Sequence, residues 1–432
     1  MESWVFTYNS TNILLPGPSE TGIVMPKEVK KILYITSSLP ALTLTFIYRE
    51  IFGLRQSGFI VETVSMNRPD PGNVSGEAQN LLRSTHYLDQ VSFVTKIGRV
   101  VLTMFRRPKA FFRCAGIYFT AKPMKTARDY VRLAYHLIEA CYLCVEYRDH
   151  GIDHIHAHFV NGPSSIAMFL SILLDRPFSF TMHASLIWLD PVALYNKLDN
   201  CKFCASISEY NRDYVVSEYG DRFSIKIEIV RCGIDMGKLV SVERQETSDK
   251  DPFVIVGVGQ LTERKGFHVL IKACGLLKQR GLEFRCLIVG EGTQRAELQS
   301  LIERYRLGQM VTLEGAQPQE RIPSYLGGAD IFALPCVIAD DGWRDGIPVA
   351  LMEAMAQKIP VVCTNILGLP ELIESGENGV LVESEDARAL ADAIESLMHS
   401  EDLRHSLGVR GSGKIESDFN VERSVEKLAA LF

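Results

Sequence analysis

The sequence predicts an α/β protein made of two doubly wound, parallel-sheet domains in tandem. Three observations predict it. With 432 residues and 47% hydrophobic content, the chain exceeds one ordinary domain and carries enough apolar residues for two cores of about 200 residues each. Strand-like and helix-like segments alternate from Lys31 onward, as helix-covered parallel sheets require. The alternation breaks once, in a polar stretch from Glu243 to Asp251.

Residues 1–30 have no steady period and contain Pro16, Gly17, Pro18 and Pro26, so an irregular extension is expected. The first domain should span 31–235, with strands at 31–36, 59–65, 152–157, 178–182, 203–207 and 225–230, a helix at 45–56, and helical segments between the later strands. Residues 236–252 read as the linker. The second domain, 253–415, should hold strands at 253–258, 284–289, 311–313, 330–334 and 360–363. Its helices fall at 267–279, 294–304 and 386–399, with another opening at Ile347 or Pro348. A C-terminal segment, 416–432, is expected to be helical and to pack back on the first domain. Ligands of such sheets bind beyond the carboxyl ends of the strands, which makes the cleft between the domains the expected site.

Composition excludes several function classes. A net charge of −6 argues against a general nucleic-acid binder. No apolar run reaches the about 18 residues that a membrane span needs, residues 164–174 ending at Asp175. Met1-Glu2-Ser3-Trp4 lacks the basic start of a signal peptide, so a cytoplasmic chain is expected. The ten cysteines are scattered, as buried free thiols are. Cys141/Cys144 and Cys201/Cys204 lie too far apart for a zinc ribbon. His156 and His158 have no acidic or third histidine companion at metal spacing, and Asp249-Lys250-Asp251 lies in the linker; no metal site is expected.

The most informative segment is Asp345-Gly346-Ile347-Pro348 followed by an apolar helix carrying Glu353. Proline suits the first helical position, and free N–H groups at such an end favour an anion such as phosphate. Val349, Ala350 and Ala356 neighbour Glu353 three or four residues away, so a largely buried carboxylate there needs a partner, which ligand hydroxyls could be. The stretch from Val256 to Gly266 follows a strand and opens a helix; Gly259 permits close backbone approach, and Arg264 and Lys265 can pair with a diphosphate. It lacks the third glycine of a dinucleotide fingerprint, and taken alone it reads first as a strand turn with a solvated cation pair. Gly290-Glu291-Gly292 ends the next strand and suits either a tight turn or ligand approach. His183 ends a strand where the cleft should begin.

Between Lys96 and Arg128 stand nine basic residues and no acidic one, interleaved with Phe105, Phe111, Phe112, Tyr118 and Phe119. That pattern suits an anionic membrane surface, the competing reading being a solvated basic face.

Together these motifs, with Ile155–Ser165 (IHAHFVNGPSS) and FTMHA at 180–184, resemble the retaining GT-B glycosyltransferases of family 4, the glycosyl transferases group 1. The resemblance runs from Lys31 onward and is most specific between Phe253 and Val382. It implies that Lys265 binds the diphosphate of a UDP- or GDP-sugar donor, Glu353 the ribose hydroxyls, and Asp345 the donor sugar. Gly259, Gln260, Arg264, Gly290, Gly346, Ile347 and Pro348 would complete the donor site, and His183 would reach the sugar from the first domain. Four departures stand out: Asp345 stands where many members have glutamate; Gln260 replaces the usual arginine, with Arg264 able to compensate; Leu186 replaces an aspartate; and Leu44 interrupts an SETF-like segment at 43–46. The resemblance implies metal-independent transfer with retention, with no cofactor beyond the donor. The acceptor would be a lipid-linked saccharide or oligosaccharide in surface polysaccharide assembly, on the inner face of a membrane. The alternatives are a GT-B nucleotide-sugar epimerase and a nucleotide-sugar-binding subunit without turnover, the latter distinguished by a donor that binds but is never transferred.

Overall fold

The computed structural model describes residues 29–41, 44–70, 78–183, 186–237 and 252–432. Nearly all of the expected extension, Asp249-Lys250-Asp251 and the middle of the linker therefore lie outside the described residues.

The first domain holds strands β1 (Lys31–Ser38), β2 (Ile60–Asn67), β3 (His86–Tyr87), β4 (His154–His158), β5 (Phe178–Met182), β6 (Phe203–Ser206) and β7 (Ile227–Ile229), in the order β3-β2-β1-β4-β5-β6-β7. The second holds β8 (Phe253–Val258), β9 (Phe284–Val289), β10 (Val311–Gly315), β11 (Ile331–Leu334), β12 (Val361–Thr364) and β13 (Val380–Val382), in the order β10-β9-β8-β11-β12-β13. Every pairing is parallel. The winding reverses beside β1 and beside β8, so each domain presents a switch-point crevice at its carboxyl edge. The segments expected at 225–230 and 311–313 shorten and lengthen to β7 and β10, and the two-residue β3 is too short to carry a sequence period.

Most strands are short apolar runs buried on both faces, as helix-covered parallel strands are. β4 departs from this rule. Its sequence His-Ile-His-Ala-His buries three imidazoles on one face, and β5 makes that tolerable: Ser179 Oγ lies 2.7 Å from both His154 Nε2 and His156 Nδ1, and Thr181 Oγ1 lies 3.0 Å from His156 Nε2.

Chain crossings tie the domains together. The Glu401–Asp418 helix packs on the second domain and runs through the boundary expected at 415/416. The chain turns at Phe419, and the Val421–Leu431 helix packs on the Thr45–Gln56 helix of the first domain. Where the two crossings meet, Ile234 N–H donates to Phe419 O at 2.9 Å and Val421 N–H to Ile234 O at 3.0 Å. Nearer the cleft, the Glu371 carboxylate of the second domain accepts from Glu209 and Tyr210 N–H, at 2.9 and 2.8 Å, at the start of the Glu209–Tyr219 helix, and it pairs with Arg231. A carboxylate is favoured at a helix N-terminus, so this contact fixes one domain against the other.

The basic segment forms the Phe93–Arg106 and Pro108–Phe119 helices and the start of the Ala127–Tyr147 helix. Lys96 corrects the sequence reading. It is buried, with Nζ 2.9 Å from Glu139 Oε1 and donating to Tyr135 Oη at 2.9 Å, so it leaves the outer face. The acidic partner lies in another helix, where a charge count along one segment does not find it.

Candidate active site

The site grows from the turns after β8 and β9. Gly259 N–H donates to Val289 O and Leu261 N–H to Glu291 O, both at 3.0 Å, which fuses the two turns. Gly290 has φ +150°, and a Cβ there would lie 1.8 Å from Gly259 O, so only glycine fits. A Cβ on Gly259 would press on Lys265 Cε at 3.1 Å; its absence lets the lysine stem lie across the turn.

Arg264 and Lys265 occupy the one-turn helix Glu263–Lys265. Arg264 Nε lies 2.9 Å from Asp345 Oδ1, and Lys265 Nζ lies 2.9 Å from Asp345 Oδ2. Burial lowers the Lys265 pKa, but the Asp345 carboxylate outweighs it and holds the ammonium above the usual lysine range. Gln260 Oε1 accepts from Arg264 Nη2 at 3.1 Å. Gln260, where the resemblance leads one to expect arginine, thus orients Arg264.

Asp345 stands just ahead of the Val349–Ala356 helix, which opens one residue later than expected. Pro348 is its N-cap, with ψ 131°, and its carbonyl accepts from Leu351 N–H at 3.1 Å. A proline can fill this place because the cap's own N–H is not needed. One and a half turns on, Glu353 is buried, with Gln319 Nε2 donating to its Oε1 at 3.0 Å. Arg49 of the first domain lies 3.7 Å from the same oxygen. Burial raises the Glu353 pKa above the usual glutamate range, with Arg49 and Gln319 pulling the other way.

Gly259, Gln260, Arg264, Lys265, Gly290, Asp345, Gly346, Ile347, Pro348 and Glu353 all line one cavity of about 540 Å³. His183, at the end of β5, lines an adjoining cavity of about 400 Å³ with Phe46, Leu186, Cys232 and Trp343. Gln260, Arg264, Asp345 and Gly346 border both, so Asp345 sits where the two chambers meet. One chamber offers cations, backbone and a buried carboxylate, which suits a nucleoside diphosphate; the other adds His183, Arg344 and mostly apolar side chains to the shared residues.

Sequence reasoning missed Arg49, Glu50, Gln319 and Trp343. The first three act across folded distance and leave no spacing to find. His158 carried a signal, an imidazole ending a strand, but its acidic companion Glu50 comes from the Thr45–Gln56 helix. Glu50, His156 and His158 are close enough to hold a metal ion. Every ring nitrogen of the two histidines already has a hydrogen-bond partner: His158 bridges Glu50 and His183, and His156 bridges Ser179 and Thr181.

Two doubly wound domains facing one cleft define a GT-B fold, and solved structures agree. Sucrose-phosphate synthase of Thermosynechococcus elongatus aligns with a TM-score of 0.70 and 18% identity, over 93% of this chain and 98% of its own. HepE of Anabaena in complex with UDP-glucose aligns with a TM-score of 0.65 and 17% identity, over 93% and 98%. Residues 241–413 match the family model described as glycosyl transferases group 1. The putative colanic acid biosynthesis glycosyltransferase WcaL of Escherichia coli is 42% identical over 207 residues, 48% of this chain and 50% of that protein. The amylovoran biosynthesis glycosyltransferase AmsK of Erwinia amylovora is 41% identical over 206 residues, again 48% and 50%. The matched region spans half the length of these relatives.

Proposed function

We propose that the protein is a retaining glycosyltransferase that moves a sugar from a UDP- or GDP-sugar to a lipid-linked or oligosaccharide acceptor during surface polysaccharide assembly. The observation that carries this reading is the Asp345 carboxylate held between Arg264 and Lys265 at the junction of two chambers. A diphosphate is the stronger partner for both cations. On its arrival Asp345 is released toward the donor sugar, and Glu353 receives the ribose hydroxyls. As the sugar–phosphate bond breaks, Lys265, Arg264 and the N–H groups opening the Val349–Ala356 helix stabilise the growing negative charge, which makes the transfer metal-independent. His183 meets the donor sugar from the first domain, and the acceptor enters through the second chamber past Trp343.

The polysaccharide assignment draws on the exopolysaccharide names of the relatives. Val94, Phe105, Phe112 and Phe119 are exposed beside Arg106, Arg107, Lys109 and Arg113, a face suited to an anionic membrane. Among the described residues no helix is long and apolar enough to cross one, so the proposed place is peripheral, on the cytoplasmic face. A thermal-shift screen of nucleotide sugars, followed by NMR of the product's anomeric centre, tests the reading. A retained configuration is expected, and an inverted one contradicts it.

A further inference from the structure

The strongest unused feature is a chain of buried polar groups behind His183. Tyr34 Oη donates to Glu50 Oε1 at 2.7 Å. The same oxygen lies 3.0 Å from His158 Nε2, and His158 Nδ1 lies 3.0 Å from His183 Nε2. His158 is 1% exposed and His183 8%, so water does not compete for these bonds. Phe46 and Phe159 hold the His183 ring, with centroids at 4.8 and 4.6 Å. Its remaining nitrogen, Nδ1, has the Cys232 thiol as a weak hydrogen-bond partner, with Sγ at 4.0 Å, and both residues line the second chamber.

We infer that Glu50 and His158 are positioning residues that fix His183 in a single tautomer, protonated at Nε2, and so present a bare Nδ1 lone pair to a sugar hydroxyl. The direction follows from the end of the chain. An ionised carboxylate only accepts, so His158 carries its proton on Nε2 and offers Nδ1 as an acceptor. His183 must then donate from Nε2, which leaves Nδ1 bare. His156 supplies the contrast. Its partners are the hydroxyls of Ser179 and Thr181, which donate or accept equally and impose no direction. Burial, and then His158, push the His183 pKa well below the usual histidine range, consistent with a neutral ring. A ligand group that takes the place of the Cys232 thiol at Nδ1 is therefore a hydroxyl donating its proton, and a ligand bearing only an acceptor there is disfavoured. This inference rests on the proposed function only for the identity of that hydroxyl.

The test begins with wild-type protein labelled with ¹⁵N-histidine, using long-range ¹H–¹⁵N correlation and assigning His183 by its loss in His183→Asn. Protonated-type Nε2 and bare-type Nδ1 are expected without any ligand. A ring protonated at Nδ1, or a mixture of tautomers, overturns the inference, and neither result depends on activity. Glu50→Gln, which can offer an amide proton to His158, should mix the tautomers and lower turnover roughly 10- to 100-fold, as loss of an orienting partner does for other histidines. The donor KM should change by less than about threefold, because ground-state contacts remain. Tyr34→Phe should keep the wild-type tautomer. An unchanged His183 spectrum and turnover in Glu50→Gln refutes the positioning role. If that variant does not fold, the wild-type spectrum still decides. A fixed tautomer in a protein that binds no nucleotide sugar upholds this inference and removes the proposed function instead.

Discussion

Lys265 Nζ and Asp345 Oδ2 lie 2.9 Å apart where the two chambers of the cleft join, with Arg264 closing the other side of the carboxylate. The relationship joins the turn after β8 to the loop before the Val349–Ala356 helix. It makes one carboxylate the counter-ion of both cations that a diphosphate would need.

Lys265→Ala should lower turnover about 100-fold, the scale of removing one group that stabilises transition-state charge. Thermal stability should fall little, because Asp345 keeps Arg264 as a partner. EDTA should leave wild-type activity intact. Steady-state kinetics with and without chelator checks both statements, and activity that requires added Mg²⁺ or Mn²⁺ refutes the charge assignment.

Glu353→Gln should weaken donor binding by about 1.5–3 kcal/mol, the worth of a hydrogen bond to a charged group. Its effect on stability has the opposite sign. A buried carboxyl with a raised pKa favours the folded state when protonated, and that advantage is lost as pH rises through its folded value. At pH 7 the neutral amide should therefore melt no lower than wild type, and the difference should shrink below the usual glutamate range. Calorimetric melting at pH 7 and pH 4.5 checks it; a variant that melts lower at both leaves Glu353 as a structural ion-pair partner of Arg49.

Much of this was legible in the sequence. The strands β5, β8 and β9 and the helices Thr45–Gln56 and Phe267–Gln279 fall where the apolar pattern and its Gly and Pro boundaries put them. Most of the lining of the first chamber was legible because those residues lie in three short motifs, each ending a strand or opening a helix. What stayed hidden depends on contacts between distant elements. Arg49 and Glu353 lie in different domains, and Glu50 reaches His158 across the first sheet's carboxyl edge. The long Glu401–Asp418 helix has Gly408, Gly411 and Gly413 in its interior, which weakens its helical signal. Gly408 is there because a Cβ would lie 2.0 Å from Lys358 O.

Acid should destabilise the fold early. Burial pushes His136 and His154 down to about 3, and His156 and His183 well below the usual histidine range. The unfolded chain takes up these protons below about pH 6.5 and the fold does not, so their contribution is present above that value and lost as pH falls. Each histidine contributes up to about 1.4 kcal/mol per pH unit. Glu139 and Glu353, whose pKa values burial raises, offset this only nearer the carboxylate range. Urea titrations from pH 7 to 5 should show steep loss, and a flat profile contradicts the buried neutral imidazoles.

Vesicle co-sedimentation should show binding to anionic and not to neutral vesicles, weakened by salt. Reversing charge at Arg106, Arg107 and Lys109 should release the protein, each exposed cation contributing about 1 kcal/mol. Phe105→Ser and Phe112→Ser should weaken a part that salt does not screen. Equal partition of wild type and the charge-reversed triple variant would falsify the membrane role.

On the proposed function, the cleft binds a nucleoside diphosphate sugar through the cations now held by Asp345. Isothermal titration of UDP, GDP and their sugars into wild type and Lys265→Ala tests it most directly. One nucleotide series should bind the wild type, with affinity reduced at least about tenfold in the variant, a difference of roughly 1.4 kcal/mol. Absence of binding by every nucleotide at millimolar concentration, or equal affinity in both proteins, contradicts it.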